Sequence, residues 1–331
     1  MILICFGTRP EWLKIKPVVD KINNKIPYRL VCTGQHDSLL DPSIQSYNVE
    51  YLNIKNQKNR LDDIVISILD NAEKLFNNIL YVMVQGDTTS AFAVALSAFH
   101  RKIPIIHLEA GLRSFDINNP YPEEFNRISI SNIASIHLCP TENNKYNLRH
   151  VSGEKYVIGN TILDSIRDIQ PSIENFILVT MHRRENIELI DEWFNAIENL
   201  AYKNPNLKFI LPLHLNPQIQ KYKHIFNKVS IMNPVSHQDL IKILSKCAMV
   251  ITDSGGIQEE SAFLKKKCIV CRKTTERTEG EFIFSELCPH PSLLETIFKG
   301  IKIELVNHKC PYGDGYACDK VLNIFERLYA K

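Results

Sequence analysis

Three carboxylates stand in one stretch of this chain at places where acids can do chemistry. Residues 82–127 read VMVQGDTTSAFAVALSAFHRKIPIIHLEAGLRSFDINNPYPEEFNR. Asp87 follows one apolar run of strand length, Glu109 follows the next, and Glu123 lies in the Pro-rich loop after it. In an open parallel sheet the crevice beyond the C-terminal strand ends is where ligands bind. Acids converging there can take a proton and return it, and clustered like charges raise one another's pKa values, which helps keep one protonated. Plainer roles exist for the same residues. Asp87 in GDTT could cap a helix, worth about 1 kcal/mol, and Glu123 with Glu124 could be a solvated pair.

A second group of residues suits a phosphate. MVITD reads as a strand, Ser254-Gly255-Gly256 as a tight turn without bulky side chains, and IQEESAFL as the start of a helix. Unsatisfied backbone N–H groups at such a start, at the positive end of the macrodipole, stabilise a pyrophosphate. Glu260, about one turn in, is placed to accept from ribose hydroxyls; an ordinary cap with an acidic first turn is the alternative. Arg9 follows the first strand, before a Pro suited to the first helical turn. Its guanidinium can make paired contacts to phosphate oxygens, with Lys14 about one turn further on. His182, Arg183 and Arg184 follow the run FILVTM, where they could meet a dianion or pair with Glu185. His214 ranks lower, as a cap or packing residue, and Arg113 and Arg277 are cation candidates that could equally be structural ion-pair partners.

Positioning these residues requires a scaffold of strand ends. The runs ILICF, RLVCT, YVMVQ, IPIIHL, IHLCP and KYVIG alternate with helix-like segments such as 11–23 and 90–99. The alternation restarts near Asn175 with FILVTM, KFILPLH, VSIMN, MVITD and CIVC. Alternation of this kind predicts βαβ units on parallel sheets. The expected fold is α/β, with two doubly wound Rossmann-like domains: residues 1–170 carrying the acids and 171–316 binding the phosphate. Residues 318–329 read as an amphipathic helix, so 317–331 are expected to return to the first domain.

Composition narrows the classes. At 331 residues the chain exceeds a usual single core. A net charge of +2 gives no reason to expect nucleic acid. No apolar run approaches the roughly 20 residues of a membrane span, and MILICFGTRPEW has no cleavage-site pattern, so a cytoplasmic protein is expected. Nine cysteines form an odd set without an export signal, which disfavours a disulfide framework. Cys268 and Cys271 form a lone CxxC inside the apolar run CIVC, so a buried strand is expected there, with no metal and no cofactor.

The motifs also carry a resemblance. GTRPEWLK (7–14), TGQH (33–36), the stretch 82–127, HRREN (182–186), DSGGIQEE (253–260), TTER (274–277) and PYGDG (311–315) occur in this order along nearly the whole chain. Together they resemble the non-hydrolysing UDP-N-acetylglucosamine 2-epimerases. That resemblance implies two domains facing across a cleft that holds a UDP-sugar, as in GT-B glycosyltransferases, and a homodimer. It implies that Asp87, Glu109 and Glu123 are the essential acids, with Arg127 following in the same motif. His182 would contact nucleotide, as would Ser254, Gly255, Gly256 and Glu260, while Arg9 and Lys14 would address the diphosphate. The implied reaction inverts C2 of UDP-GlcNAc to give UDP-ManNAc, by eliminating UDP to a 2-acetamidoglucal and adding it back.

Some positions depart from the family pattern. Trp12 replaces a small residue, and Thr278 replaces the Pro after TTER. The segment EGEFIFSELCPHPSLLETIF is compressed. In bacterial members a second UDP-GlcNAc activates the enzyme, and Gln35 and His36 are the candidates for that site. Asp37-Ser38-Leu39 differs from the family run, and LDDIVISIL lacks the arginine common in its helix, so weak activation is expected. Three other readings remain: a hydrolysing epimerase releasing ManNAc and UDP, whose members resemble GTRAD rather than GTRPE; a GT-B glycosyltransferase, which would not require three acids; and an inactive sugar-nucleotide binder, which would be expected to lack one of them.

Overall fold

Every apolar run singled out above forms a strand in the computed structural model, which describes residues 1–35, 41–54 and 59–330. The chain begins with β1 (Ile2–Phe6), α1 (Arg9–Ile22), β2 (Tyr28–Cys32), β3 (Val49–Tyr51), α2 (Arg60–Asp70), α3 (Ala72–Leu75) and β4 (Tyr81–Gln85). It continues through α4 (Thr89–His100), β5 (Ile105–Leu108), α5 (Glu123–Ile133), β6 (Ile136–Cys139), α6 (Glu142–Asn147) and β7 (Glu154–Val157). Next come β8 (Phe176–Thr180), α7 (Ile190–Lys203), β9 (Lys208–Pro212), α8 (Pro217–Gln220), β10 (Ser230–Met232) and α9 (His237–Lys246). Last are β11 (Met249–Thr252), α10 (Gly255–Phe263), β12 (Cys268–Val270), β13 (Ser285–Leu287), α11 (Leu294–Gly300) and α12 (Ala317–Ala330). Two units result: residues 1–167 with 313–331, and residues 168–312.

The first unit holds a parallel sheet in the order β3-β2-β1-β4-β5-β6-β7. All five residues of β1 are buried, because both faces of the sheet are covered by helices. Ile2, Ile4 and Phe6 face Trp12, Ile15 and Val19 of α1 and Val321, Ile324 and Phe325 of α12. Leu3 and Cys5 point the other way, toward Ile64 and Ile68 of α2 and Ala91, Val94 and Ala98 of α4. Side-chain alternation at period two thus divides one apolar strand between two helix layers. Trp12 is no disturbance at the family's small position. It is fully buried, its ring centroid lies 5.0 Å from those of Phe6 and Tyr47, and its Nε1 donates to Ser43 Oγ at 2.9 Å. The Asp164 carboxylate accepts from the backbone N–H groups of Ala317 at 3.0 Å and Cys318 at 2.8 Å, fixing the start of α12.

The second unit repeats the plan with the order β10-β9-β8-β11-β12-β13, again parallel. Its core joins Ile177 and Val179 of β8, Trp193, Phe194 and Ile197 of α7, and Met249 and Ile251 of β11. Cys268 lies in β12 with Cys271 just beyond it, both buried, and burial pushes both thiols well above the usual thiol range. Thiols held neutral in this way are inert rather than metal-binding or redox-active. The compressed segment after TTER still supplies β13 and α11. No helix among the described residues is long and apolar enough to cross a membrane.

Strand order reverses between β1 and β4 in the first unit and between β8 and β11 in the second. These are topological switch points, where the loops after neighbouring strands part and leave a crevice.

Candidate functional site

At the first switch point, Gly7 follows β1 in a space with no room for a side chain. A Cβ there would stand 2.4 Å from Thr33 Oγ1 and 2.7 Å from Ser90 Oγ. Thr8 caps α1, and the Glu11 carboxylate folds back to accept from Gly7 N at 2.9 Å and from the Thr8 hydroxyl at 2.8 Å. Arg9 remains 39% exposed in its side chain, with Nε 3.7 Å from Asp41. Lys14, one turn further along α1, donates to both oxygens of Glu109, at 2.5 Å to Oε2. Both cations expected to address phosphate therefore lie on one helix beside the switch point, and Lys14 already has an acid for a partner.

The acids occupy the ends of adjacent strands. Glu109 directly follows β5, is 8% exposed, and accepts from the Gln85 side chain as well as Lys14. Its φ of +65° is left-handed, an uncommon conformation for a residue with a side chain. Strain of this kind is held in place by its surroundings and clusters at functional positions. Asp87 follows β4, and its Oδ2 receives Arg127 at 2.6 Å from Nη2 and 2.8 Å from Nε. Asn126 Nδ2 donates to the Asp87 carbonyl at 2.8 Å. Asp87 and Glu109 thus each face a cation, rather than standing as a bare cluster of like charges.

Glu123 opens α5 in a half-buried position. Its neighbour Glu124 differs from the expected solvated partner. It is fully buried, accepting from Ser114 N at 3.1 Å, Phe115 N at 3.3 Å and Arg127 Nη1 at 3.3 Å. Arg113 donates to the Leu112 carbonyl at 2.7 Å and Ser131 Oγ at 2.8 Å, and burial lowers its pKa. His107, on β5, gives its Nε2 to the Gly86 carbonyl at 2.8 Å, bracing the turn that carries Asp87.

At the second switch point a buried carboxylate organises the loop after β8. Asp253, fully buried after β11, accepts from His182 N at 3.0 Å, Arg183 N at 2.8 Å and Asn186 Nδ2 at 3.2 Å. The His182 ring is exposed, with Nδ1 3.6 Å from Asp253, and stacks on His214 at 5.7 Å between centroids. His214 Nδ1 accepts from Asn216 N at 3.1 Å, the turn-capping role ranked first for it. Glu185 pairs with Arg272 Nε at 2.7 Å, a partner from outside HRRE. Burial lowers the Arg183 pKa, and the nearby Arg272 and Arg277 add to that.

The helix start differs in detail from the expected turn. Ser254 is the N-cap, with no side-chain cap bond, and Gly255 and Gly256 are already the first helical residues of α10. A Cβ on Gly256 would meet only Ser254 Oγ at 4.0 Å, whereas one on Gly255 would stand 2.4 Å from Arg277 Nη1. Arg277 is buried, with Nε on Glu259 and Nη1 on Glu276, each at 2.6 Å. Glu260 is also buried and shares a 2.7 Å hydrogen bond with His237 Nε2. An uncapped, glycine-lined first turn leaves backbone N–H groups that can receive an anion.

Gln35 Oε1 accepts from Ser90 N at 3.2 Å and Ser90 Oγ at 2.7 Å, while Arg60 reaches the Gln35 carbonyl. The helix containing LDDIVISIL therefore does carry an arginine, at its first residue, and the expectation of weak activation loses that premise. His36 lies outside the described residues, as do Asp37, Ser38, Leu39 and the side chain of Arg184. The sequence assigns no role to Glu11, Asp253 or Glu259, and Glu124 differs from the solvated acid expected there. Burial and the partners the fold brings to them distinguish them from surface acids.

A sequence profile described as UDP-N-acetylglucosamine 2-epimerase matches residues 20–326. A protein named UDP-N-acetylglucosamine 2-epimerase from Campylobacter jejuni is 37% identical, with 98% of this chain and 96% of that one covered. A protein of the same name from Salmonella borreze is 33% identical over 99% of this chain and 98% of its own. The crystal structure of UDP-GlcNAc 2-epimerase from Neisseria meningitidis bound to UDP-GlcNAc superposes with a TM-score of 0.89 at 32% identity, covering 98% of this chain and 99% of that one.

Proposed function

Because this chain belongs to the UDP-N-acetylglucosamine 2-epimerase family, a family of enzymes, we propose that it interconverts UDP-GlcNAc and UDP-ManNAc without hydrolysing either. The observation that carries this reading is the pair of acids at the ends of β4 and β5, Asp87 held by Arg127 and Glu109 held by Lys14. The C2–H of the sugar is only weakly acidic, so a lone base is insufficient. A carboxylate takes the C2 proton while the C1–O bond breaks and its electron pair leaves with UDP, giving a C1–C2 double bond. An acid then delivers a proton to the opposite face of C2, and UDP adds back at C1. Asp87, Glu109 and Glu123 supply these acid and base functions. The first turn of α10, with Ser254, Gly255 and Gly256, holds the diphosphate, assisted by Arg183 and His182. Developing negative charge on departing UDP is what such donors stabilise. Arg277 acts by shaping the turn at Gly255, and Arg113 by holding the loop after Glu109.

The test is an NMR time course with UDP-GlcNAc in D2O. The expected outcome is a mixture of the two UDP-sugars with deuterium at C2. ManNAc with UDP as sole products would place the chain among hydrolysing enzymes, and a retained C2 proton in the epimer would exclude elimination.

A further inference from the structure

Glu11 makes a contact that a helix cap does not need. On the first turn of α1, with 2% of its surface exposed, it already accepts from Gly7 N and the Thr8 hydroxyl through Oε2. Those two bonds already tie Glu11 to the residues that open α1, where Thr8 is the cap. Its other oxygen, Oε1, accepts from the hydroxyl of Thr88 at 2.8 Å, across 77 positions of sequence. Gly7 and Thr8 follow β1, and Thr88 directly follows Asp87 beyond β4. One carboxylate therefore spans the two loops that flank the point where strand order reverses.

The Thr88 hydroxyl has a proton available for that bond. Thr88 Oγ1 accepts from Ala91 N at 3.0 Å as the cap of α4, so its proton is free to point at Glu11. From the opposite side, Arg127 and Asn126 of α5 hold the Asp87 carboxylate and carbonyl. The Asp87 loop is thus gripped from α5 and, through Thr88, from α1. Burial is the largest influence on Glu11 and pushes its pKa up to about 7, and the charge of Asp87 acts in the same direction. A group kept at that cost in a buried place calls for a reason beyond capping.

We propose that Glu11 is a positioning residue for Asp87, its carboxylate tying the β1–α1 turn to the β4–α4 turn so that Asp87 meets the substrate in one fixed geometry. The inference rests on the reading of Asp87 as a reacting acid. Displacement of a reacting group by about 1 Å can cost on the order of 10²-fold in rate.

The test uses the full chain and four variants: Glu11→Gln, Thr88→Val, the two combined, and Asp87→Asn in parallel. Glutamine keeps the shape but turns one accepting oxygen into a donor. Turnover of UDP-GlcNAc and the affinity for UDP by calorimetry are measured for each. Glu11→Gln is expected to lower kcat by about 10- to 100-fold while UDP affinity stays within about threefold of the parent. The double variant is expected to match the worse single one, because both remove the same tie. Full turnover in Glu11→Gln beside an inactive Asp87→Asn would overturn this inference alone. An active Asp87→Asn would instead remove the reading on which it rests. Should Glu11→Gln not fold, Thr88→Ser against Thr88→Val decides. Retained turnover in the serine variant, with a kcat loss and normal UDP affinity in the valine variant, sustains the proposal, whereas equal losses of kcat and affinity in the valine variant overturn it.

Discussion

Glu123 and Glu124 are neighbours in the chain with different surroundings. Glu124 is sealed in, bonded to two backbone N–H groups and to Arg127, while Glu123 stands half-buried at the start of α5. Glu124→Gln should therefore cost about 2–4 kcal/mol of stability, the range for disturbing a buried charged partner. Glu123→Gln should cost less stability than that and lower turnover by at least about 10²-fold, as for a lost acid or base. Thermal melts and initial rates on the two proteins check this, and reversed outcomes would exchange the roles. The motif positions were legible because strand ends and Gly-rich turns announce themselves locally. Their partners were not. Asp253 organises His182 from 71 residues away, and Glu11 reaches Thr88 across 77, pairings that no local pattern encodes.

At the scale of elements, eleven of the thirteen strands among the described residues are legible as apolar runs, and the other two, β3 and β13, are three-residue strands at sheet edges. An edge strand is covered less and needs no continuous apolar run, so Val49-Glu50-Tyr51 gives little signal. Helix α10 begins two residues before the run IQEESAFL, since glycines read as turn formers although both are helical here. That placement sets up a contrast. Gly256→Ala meets open space and improves helix propensity by about 0.5–1 kcal/mol, so the protein should melt no lower while UDP binding weakens, the methyl group standing where the anion meets the backbone. Gly255→Ala should lose stability as well, because its Cβ would collide with Arg277. Melting curves with and without UDP separate the two, and unchanged UDP affinity in Gly256→Ala would place the diphosphate elsewhere.

For the molecule as a whole, two buried groups pull the acid response in opposite directions. Burial lowers the His107 pKa from 6.5 to about 3, so the unfolded chain takes up a proton that folded His107 refuses. Stability from this group is full above pH 6.5 and falls toward pH 3, by about 2 kcal/mol at pH 5. Glu11 has the reverse sign. Its folded pKa of about 7 exceeds 4.5, so it favours folding below pH 4.5 and that contribution is lost as pH rises through 7, on the order of 3 kcal/mol. Measured against the parent, His107→Asn should gain relative stability as pH falls from 6.5, and Glu11→Gln should lose it between pH 7 and 4.5. Denaturant titrations across pH 4–8 read both slopes, and parallel curves for either variant would refute its assignment. The return of α12 to the first core carries a different consequence, for the order of events during synthesis. Residues 168–312 form a unit from contiguous sequence, whereas Ile4, Phe6 and Ile15 await Val321 and Phe325 to be covered. The second unit can thus close on one contiguous segment, whereas the unit translated first is finished only by residues that come after the second.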